Sequence, residues 1–187
     1  PDMRQTALCE IRKACAQVRA NQAVQVLPIW LATHGVPVEL IGLLPLAGLP
    51  YAIKALWAPL LDRWPIPWPD RRRGWIALLQ LLLGLSIASL ALLRPSTDPH
   101  TLTAIGLVAL LVAVLSATQD IVIDAYRIEI LHDEEQGAGS ATTQLGYRIA
   151  TWTIDAISLL LPSLLPWGVV LTIIALFGLI GMVTTFY

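Results

Sequence analysis

Lys54, Asp120, Asp124, Arg148 and Asp155 stand inside long apolar stretches of the sequence. An ionisable group at mid-membrane is costly, so it turns toward a partner or a wet cavity and marks a pathway for ions or substrate. Asp120 and Asp124 are four residues apart and share one helix face, with Arg127 three residues further on and close to that face. Two stacked carboxylates repel unless a cation lies between them, so a partner is expected: Arg127 or a basic side chain of a neighbouring helix. Such a group either locks helices together or carries a proton, since a carboxylate kept from water can exchange protons near neutral pH. Lys54 lies about two thirds of the way across its apolar stretch at ~1.5 Å per helical residue. Its ammonium either faces the interior or reaches the interface along its own stem. Arg148 and Asp155 are seven apart and share a face, with Tyr147 and Thr151 alongside. A forked guanidinium suits a carboxylate or phosphate on a substrate; the competing expectation is a pairing of Arg148 with Asp155 or Asp124. Trp57 and Trp152 can stack on a sugar, but facing lipid is the simpler expectation.

The elements that must position these residues are membrane helices. Of 187 residues 56% are hydrophobic and 13% charged, with a mean hydropathy of +0.69, against about 25% charged in an ordinary soluble domain. This excludes a water-soluble globule. Twelve Lys and Arg against thirteen Asp and Glu leave a net charge of -1, which excludes the basic excess of a nucleic-acid binder. Cys9 and Cys15 lack His neighbours at ligand spacing and read as free thiols; neither a metal nor a cofactor is expected. The fold class is all-α, a polytopic membrane bundle with about five complete transmembrane helices over 40–61, 75–93, 102–123, 141–165 and 167–187. A partial span covers 23–33, and residues 1–22 form a polar basic leader, expected to be disordered. Arg63, Arg71, Arg72 and Arg73 crowd the link after the first complete span, whereas the next link holds only Arg94. By the excess of Lys and Arg in cytoplasmic loops, the Arg-rich link is cytoplasmic and the next one external. No linker is long enough for a catalytic domain, so function lies inside the bundle.

The link DRWPIPWPDRRR puts an acidic residue at a helix end before an Arg cluster. It resembles the signature Gly-x-x-x-Asp-Arg-x-Gly-Arg-Arg of the major facilitator superfamily. Asp62, Arg63 and the triplet Arg71, Arg72, Arg73 match it, while Ala58 replaces the Gly and the spacing is stretched. LIGLLPLAGLPYAIKALWAPLLDRW, RRRGWIALLQ, SATQDIVIDAYRIEIL and GAGSATTQLGYRIA resemble, in this order, the first half of the AmpG-type muropeptide permeases. The related acetyl-coenzyme A transporters share the QD-x3-D type of segment. The resemblance implies a proton-coupled importer that carries anhydro-muropeptides, linked sugars with a short peptide, across the bacterial inner membrane for cell-wall recycling. It assigns importance to Lys54, Asp62, Gln119, Asp120, Asp124, Tyr126, Arg127, Gly146, Tyr147 and Arg148, and it implies a half transporter with helices two to six of one six-helix bundle. The implied partners are the lipid bilayer, the sugar-peptide substrate, protons and a missing carboxy-terminal half, without which the chain is expected not to transport. A rival reading is an integral-membrane transferase holding a divalent metal through Asp120 and Asp124, since magnesium favours one or two carboxylates plus phosphate oxygens. A second alternative is a carrier of another substrate such as acetyl-coenzyme A.

Overall fold

The computed structural model describes residues 26–64, 66, 71–93, 95, 98–132, 134, 136–174 and 176. The expected leader, residues 1–22, and most of the last expected span, from 177 onward, lie outside the described residues. All regular structure among the described residues is helical. Helix α1 covers residues 26–33 and ends on Gly35, whose φ of 75° is a conformation glycine adopts without a Cβ penalty. The Val36 N–H reaches the Leu31 carbonyl (3.2 Å) and the Gly35 N–H the Ala32 carbonyl (3.1 Å), the paired bonds of a Schellman stop.

The next run is a helix in pieces. Helix α2 (Val38–Ile41), a 3-10 turn (Leu44–Gly48), α3 (Leu49–Ile53), a second 3-10 turn (Lys54–Leu56) and α4 (Ala58–Arg63) follow one another. Pro45, Pro50 and Pro59 each stand in the first two positions of a new piece. Proline has no N–H to give and its ring collides with the carbonyl four residues back, so each one restarts the ladder. A membrane bundle tolerates this because neighbours satisfy the freed groups.

Helices α5 (Arg71–Leu92) and α6 (Pro99–Ile130) are the unbroken pair. The 22 residues of α5 span about 33 Å, close to the hydrocarbon thickness, and the 32 residues of α6 about 48 Å. They run antiparallel. Leu90 packs with Ile105 and Ala109 at one end, Leu83 and Ile87 with Val112 in the middle, and Ile76 and Leu79 with Val122, Ile123 and Tyr126 at the other. Ala109, Ala113 and Ala117, spaced by four, are all buried on α6, and small residues at that spacing let membrane helices approach closely. Asp98 and Pro99 open α6, Pro at the first helical position being pre-set for a helix start.

Helix α7 (Gln136–Leu160) follows, then a 3-10 turn (Leu161–Ser163) and helix α8 over residues 167–174. Val170, Leu171 and Ile174 of α8 meet Val26, Leu27 and Trp30 of α1 around Leu90 and Ile105, which ties the two chain-distant helices to the α5–α6 pair. Among the described residues, Val38–Leu56, Arg72–Leu92 and Pro99–Glu129 are long and apolar enough to cross a membrane. Many of their large side chains, such as Leu56, Leu85 and Leu107, are exposed, as lipid-facing residues are. The fold is an all-α membrane helix bundle.

Candidate functional site

The broken helix presents one residue per turn to α6. Tyr51, Lys54 and Trp57 are spaced by three, so a helical backbone, whether α or 3-10, stacks them on one side. The Tyr51 hydroxyl bonds the Ser116 hydroxyl. The Lys54 ammonium donates to Asp120 Oδ2 at 2.6 Å. The Trp57 indole N–H donates to Thr118 Oγ1 at 3.3 Å, and that hydroxyl in turn donates to the Val114 carbonyl at 2.7 Å. The ion pair is largely withdrawn from the surface, with 32% of the Lys54 side chain and 16% of that of Asp120 exposed. Lys54 therefore faces the interior, and the basic partner expected for the carboxylate pair comes from the neighbouring helix.

One turn further along α6, Asp124 receives Arg127 from its own helix at 3.5 Å. Asp124 lies within electrostatic reach of Asp120 and Lys54, and the Tyr51 phenol within reach of Asp120 and of Tyr147 on α7. Tyr51, Lys54, Asp120, Asp124 and Arg127 thus form one polar cluster along the broken helix and α6. Each carboxylate of the pair already has a cation, so their mutual repulsion is offset without a metal. Gln119, one residue from the ion pair, is buried.

A second set of charges lies where α4 stops, α5 starts and α6 ends. Arg72 bonds Asp62 Oδ1 at 2.7 Å through one terminal nitrogen and Glu129 Oε1 through the other at 2.7 Å and through Nε at 3.0 Å. Its side chain is only 10% exposed, whereas those of Asp62 and Glu129 are about half exposed, at 56% and 51%. A cation in the first turn of α5 and an anion in the last turn of α6 each oppose the dipole of their own helix; bonded together they cancel that cost. Arg73 donates through Nε to the Tyr126 hydroxyl at 3.1 Å, and the Trp75 indole to the Trp64 carbonyl at 2.8 Å. Arg63 is exposed. Arg71 opens α5, and its side chain lies outside the described residues.

On α7, Arg148 is exposed and Asp155 half-buried, and neither forms an ion pair with the other or with Asp124: no ion pair or hydrogen bond joins them to a described residue. The expected internal pairing of Arg148 is thereby replaced by an open guanidinium. Trp152 is 70% exposed, but Trp57 is not a lipid-facing residue: it is half-buried and packs against the cluster of Leu61, Ile76 and Tyr126. Sequence reasoning missed Tyr51, Ser116, Thr118 and Glu129. The signal for the first was available, a residue one turn before Lys54 with a hydrogen-bonding tip. The signal for Glu129 was an Arg triplet that needed carboxylates.

A family model described as Acetyl-coenzyme A transporter 1 matches residues 23–161. The chain belongs to this family. It is 43% identical over 163 residues to an uncharacterised protein of Haemophilus influenzae, covering 87% of this chain and 38% of that protein. It is 41% identical over 123 residues to the anhydromuropeptide permease of Escherichia coli, covering 66% of this chain and 24% of the permease, and 30% identical over 162 residues to the putative transporter AmpG 4 of Rickettsia conorii, covering 84% and 38%. The chain therefore spans between about a quarter and two fifths of the length of these curated relatives. The resemblance to AmpG-type permeases is borne out by them, and the family's members and the apolar helices together make this a multi-pass membrane protein with transporter relatives.

Proposed function

We propose that this chain forms one bundle of a proton-coupled secondary transporter that brings anhydro-muropeptides across the bacterial inner membrane for cell-wall recycling. The observation that carries the reading is the ion pair of Lys54 with Asp120, set inside spanning helices at the centre of a polar cluster. Such a pair holds only while the carboxylate is charged. A proton arriving on Asp120 removes the attraction, frees the Lys54 ammonium and loosens the broken helix from α6, and that couples a proton to a helix movement. The neighbouring carboxylate of Asp124 with Arg127 gives the proton a second stop one turn away. At the Arg-rich end, Asp62, Arg72 and Glu129 hold α4, α5 and α6 together and act as the cytoplasmic gate, with Arg63, Arg71 and Arg73 fixing the orientation. The substrate class comes from the kinship with the anhydromuropeptide permease.

Carriers of this design place the substrate between two bundles that rock against each other, so the arrangement is that of a major facilitator half facing a second bundle, which the further length of the relatives would supply. In this reading the expected spans over 141–165 and 167–187 belong to the same bundle. No enzyme chemistry is assigned, because the carboxylates that a metal-dependent transferase would use are held by Lys54 and Arg127.

The test is uptake of labelled anhydromuropeptide into proteoliposomes under an imposed pH gradient. The chain alone is compared with a chimera that adds the remaining length of the Escherichia coli permease. Accumulation by the chimera that a protonophore abolishes supports the reading. Uptake indifferent to the gradient removes the proton coupling, accumulation by the chain alone removes the need for a second bundle, and uptake of acetyl-coenzyme A in place of muropeptide removes the substrate.

A further inference from the structure

The polar stripe of α6 begins abruptly. Ser116, Asp120 and Asp124 follow one another at four-residue spacing with Arg127 three further on, so all four share one side of the helix. Toward the start of α6 the same side continues with Ala113 and Ala109, both buried. The broken helix changes character at the same height: from Lys54 and Tyr51 its matching side runs back through Ala47 to Leu44. There, at the end remote from the Arg-rich link, the two helices border a cavity of about 500 Å³ lined by Leu31, Leu44, Ala47, Ile105, Gly106 and Ala109 among others. Thr103 is the one polar side chain in its wall, and its hydroxyl hydrogen is given to the Pro99 carbonyl at 2.7 Å. Ala47 stands one turn before Tyr51 and Ala109 two turns before Ser116, so the cavity ends close above the hydroxyl pair.

A space of this size has room for a chain of waters at ~30 Å³ each, but apolar walls do not hold them. Such a constriction fills only transiently and is closed to ions and sugars while dry; a proton needs no more than a brief water chain. The first exchangeable groups beyond it are the hydroxyls of Tyr51, half-buried, and Ser116, 4% exposed, which bond each other. A hydroxyl accepts on its lone pairs while donating its own hydrogen, so a bonded pair passes a proton without holding charge. One turn on stands the Lys54–Asp120 pair. The titratable groups around the hydroxyls are thus Lys54, Asp120 and, further along, Asp124, with Tyr147 of α7 within electrostatic reach of Tyr51. Thr118 offers no second route, because its hydrogen is given to the Val114 carbonyl and its oxygen accepts the Trp57 indole.

We propose that Tyr51 and Ser116 form a hydroxyl relay that delivers protons from the apolar cavity to Asp120. The inference rests on the proton-coupled reading above and adds to it the entry route and the residues that carry it. A proton from water in the cavity binds the Tyr51 oxygen as the phenol hydrogen passes to Ser116 Oγ and the serine hydrogen to the Asp120 carboxylate, the last gap of one helical turn being bridged by a water. Both hydroxyls end neutral, each with a new hydrogen. The carboxylate ends as a carboxylic acid, and the Lys54 ammonium loses its counter-charge.

The experiment is time-resolved infrared spectroscopy of the whole chain in lipid nanodiscs after a jump to acid pH. It follows the carboxylic-acid C=O band, of which the part missing in Asp120→Asn belongs to Asp120. Tyr51→Phe and Ser116→Ala are each expected to slow the growth of that part about a hundredfold, the low end of what a positioned proton donor contributes, while its final amplitude is kept. Ser116→Thr, which retains a hydroxyl, should restore the rate. Gly106→Phe leaves both hydroxyls in place and fills the cavity, since a Cβ on Gly106 meets nothing within 4 Å; it too should slow the band. A structural role alone would change the amplitude or the denaturation midpoint and leave the rate, and that result overturns the proposal. Wild-type rates in Tyr51→Phe and Ser116→Ala overturn the relay, and a wild-type rate in Gly106→Phe overturns the cavity as the entry, in both cases with the proton-coupled reading left standing. If no Asp120 band grows in the wild-type chain at any pH at which it stays folded, the relay and the proton-coupled reading both fall.

Discussion

On α6 the charges Asp120, Asp124, Arg127 and Glu129 all have partners: Lys54 from the broken helix, an internal pair one turn on, and Arg72 from α5. On α7 Arg148 and Asp155 have none among the described residues. Helix α6 carries four charges and α7 two, and the two helices differ in what those charges meet. A paired charge inside a membrane ties helices together and can be released by a proton; an open one ties nothing. If this contrast is right, removing α6 charges must cost stability and removing α7 charges must not.

The largest effect is expected from Lys54→Met. It leaves the Asp120 carboxylate inside the bundle without its cation, and breaking a fully buried pair costs about 3 to 5 kcal/mol. With 32% and 16% of the two side chains exposed, the loss should be nearer to about 2 to 3 kcal/mol by the same scale. It is read as a lower denaturation midpoint in detergent. Replacing both partners, Lys54→Met with Asp120→Leu, should restore most of the stability, since no charge is then left unpaired, while gradient-driven uptake by the chimera stays lost. An unchanged midpoint in the single variant would remove the tether from the comparison.

Next comes Arg72→Ala, which deletes three charge-assisted bonds to Asp62 and Glu129. Hydrogen bonds to charged groups contribute about 1.5 to 3 kcal/mol each when buried, but both carboxylates are about half exposed and rehydrate when released. A total loss of about 2 kcal/mol is the expectation. Arg72→Lys keeps the charge without the fork, so it should recover part of the midpoint and still separate α4 from α6, visible as faster proteolysis near Arg63.

How much of this could be read from the residues differs between the two helices. The period of α7 is visible in the sequence because its polar residues recur at three and four, and nothing but helical geometry is needed to put Arg148, Thr151 and Asp155 on one arc. The need of Asp120 for a cation was also legible, since two carboxylates four apart require one. That the cation is Lys54 was not, because which helix packs beside α6, and at what height, is a tertiary contact that no spacing within one segment supplies. Trp57 was misjudged for the same reason: it shares the Lys54 side of the broken helix and meets Thr118 of α6. Glu129 was overlooked because the apolar run fades near Ile123, while the helix continues to Ile130. Apolar length marks where the membrane ends and backbone bonding where the helix ends.

A smaller effect tests the neutral part of the ladder. Tyr51→Phe removes the phenolic hydroxyl that meets Ser116, a residue 4% exposed, and leaves the Ser116 hydroxyl to find another acceptor on its own helix. One such bond is worth about 1 kcal/mol net, so the midpoint should fall by less than for Lys54→Met. Double-mutant coupling with Lys54→Met tells whether the hydroxyl pair and the ion pair act together, as neighbours in one network do. Full additivity would mean that they hold the helix independently.

The smallest effect, and the sharpest for the contrast, is that of Arg148→Gln on the chain without ligand. Its guanidinium is exposed and bonded to no described residue, so the substitution deletes no contact, and surface changes of that kind stay within about 0.5 kcal/mol. The glutamine keeps most of the stem and gives up only the charge. The midpoint should therefore hold, while Asp120→Asn on α6 lowers it. A fall of about 2 kcal/mol or more in Arg148→Gln would place the guanidinium among the tethers and make α7 a second α6.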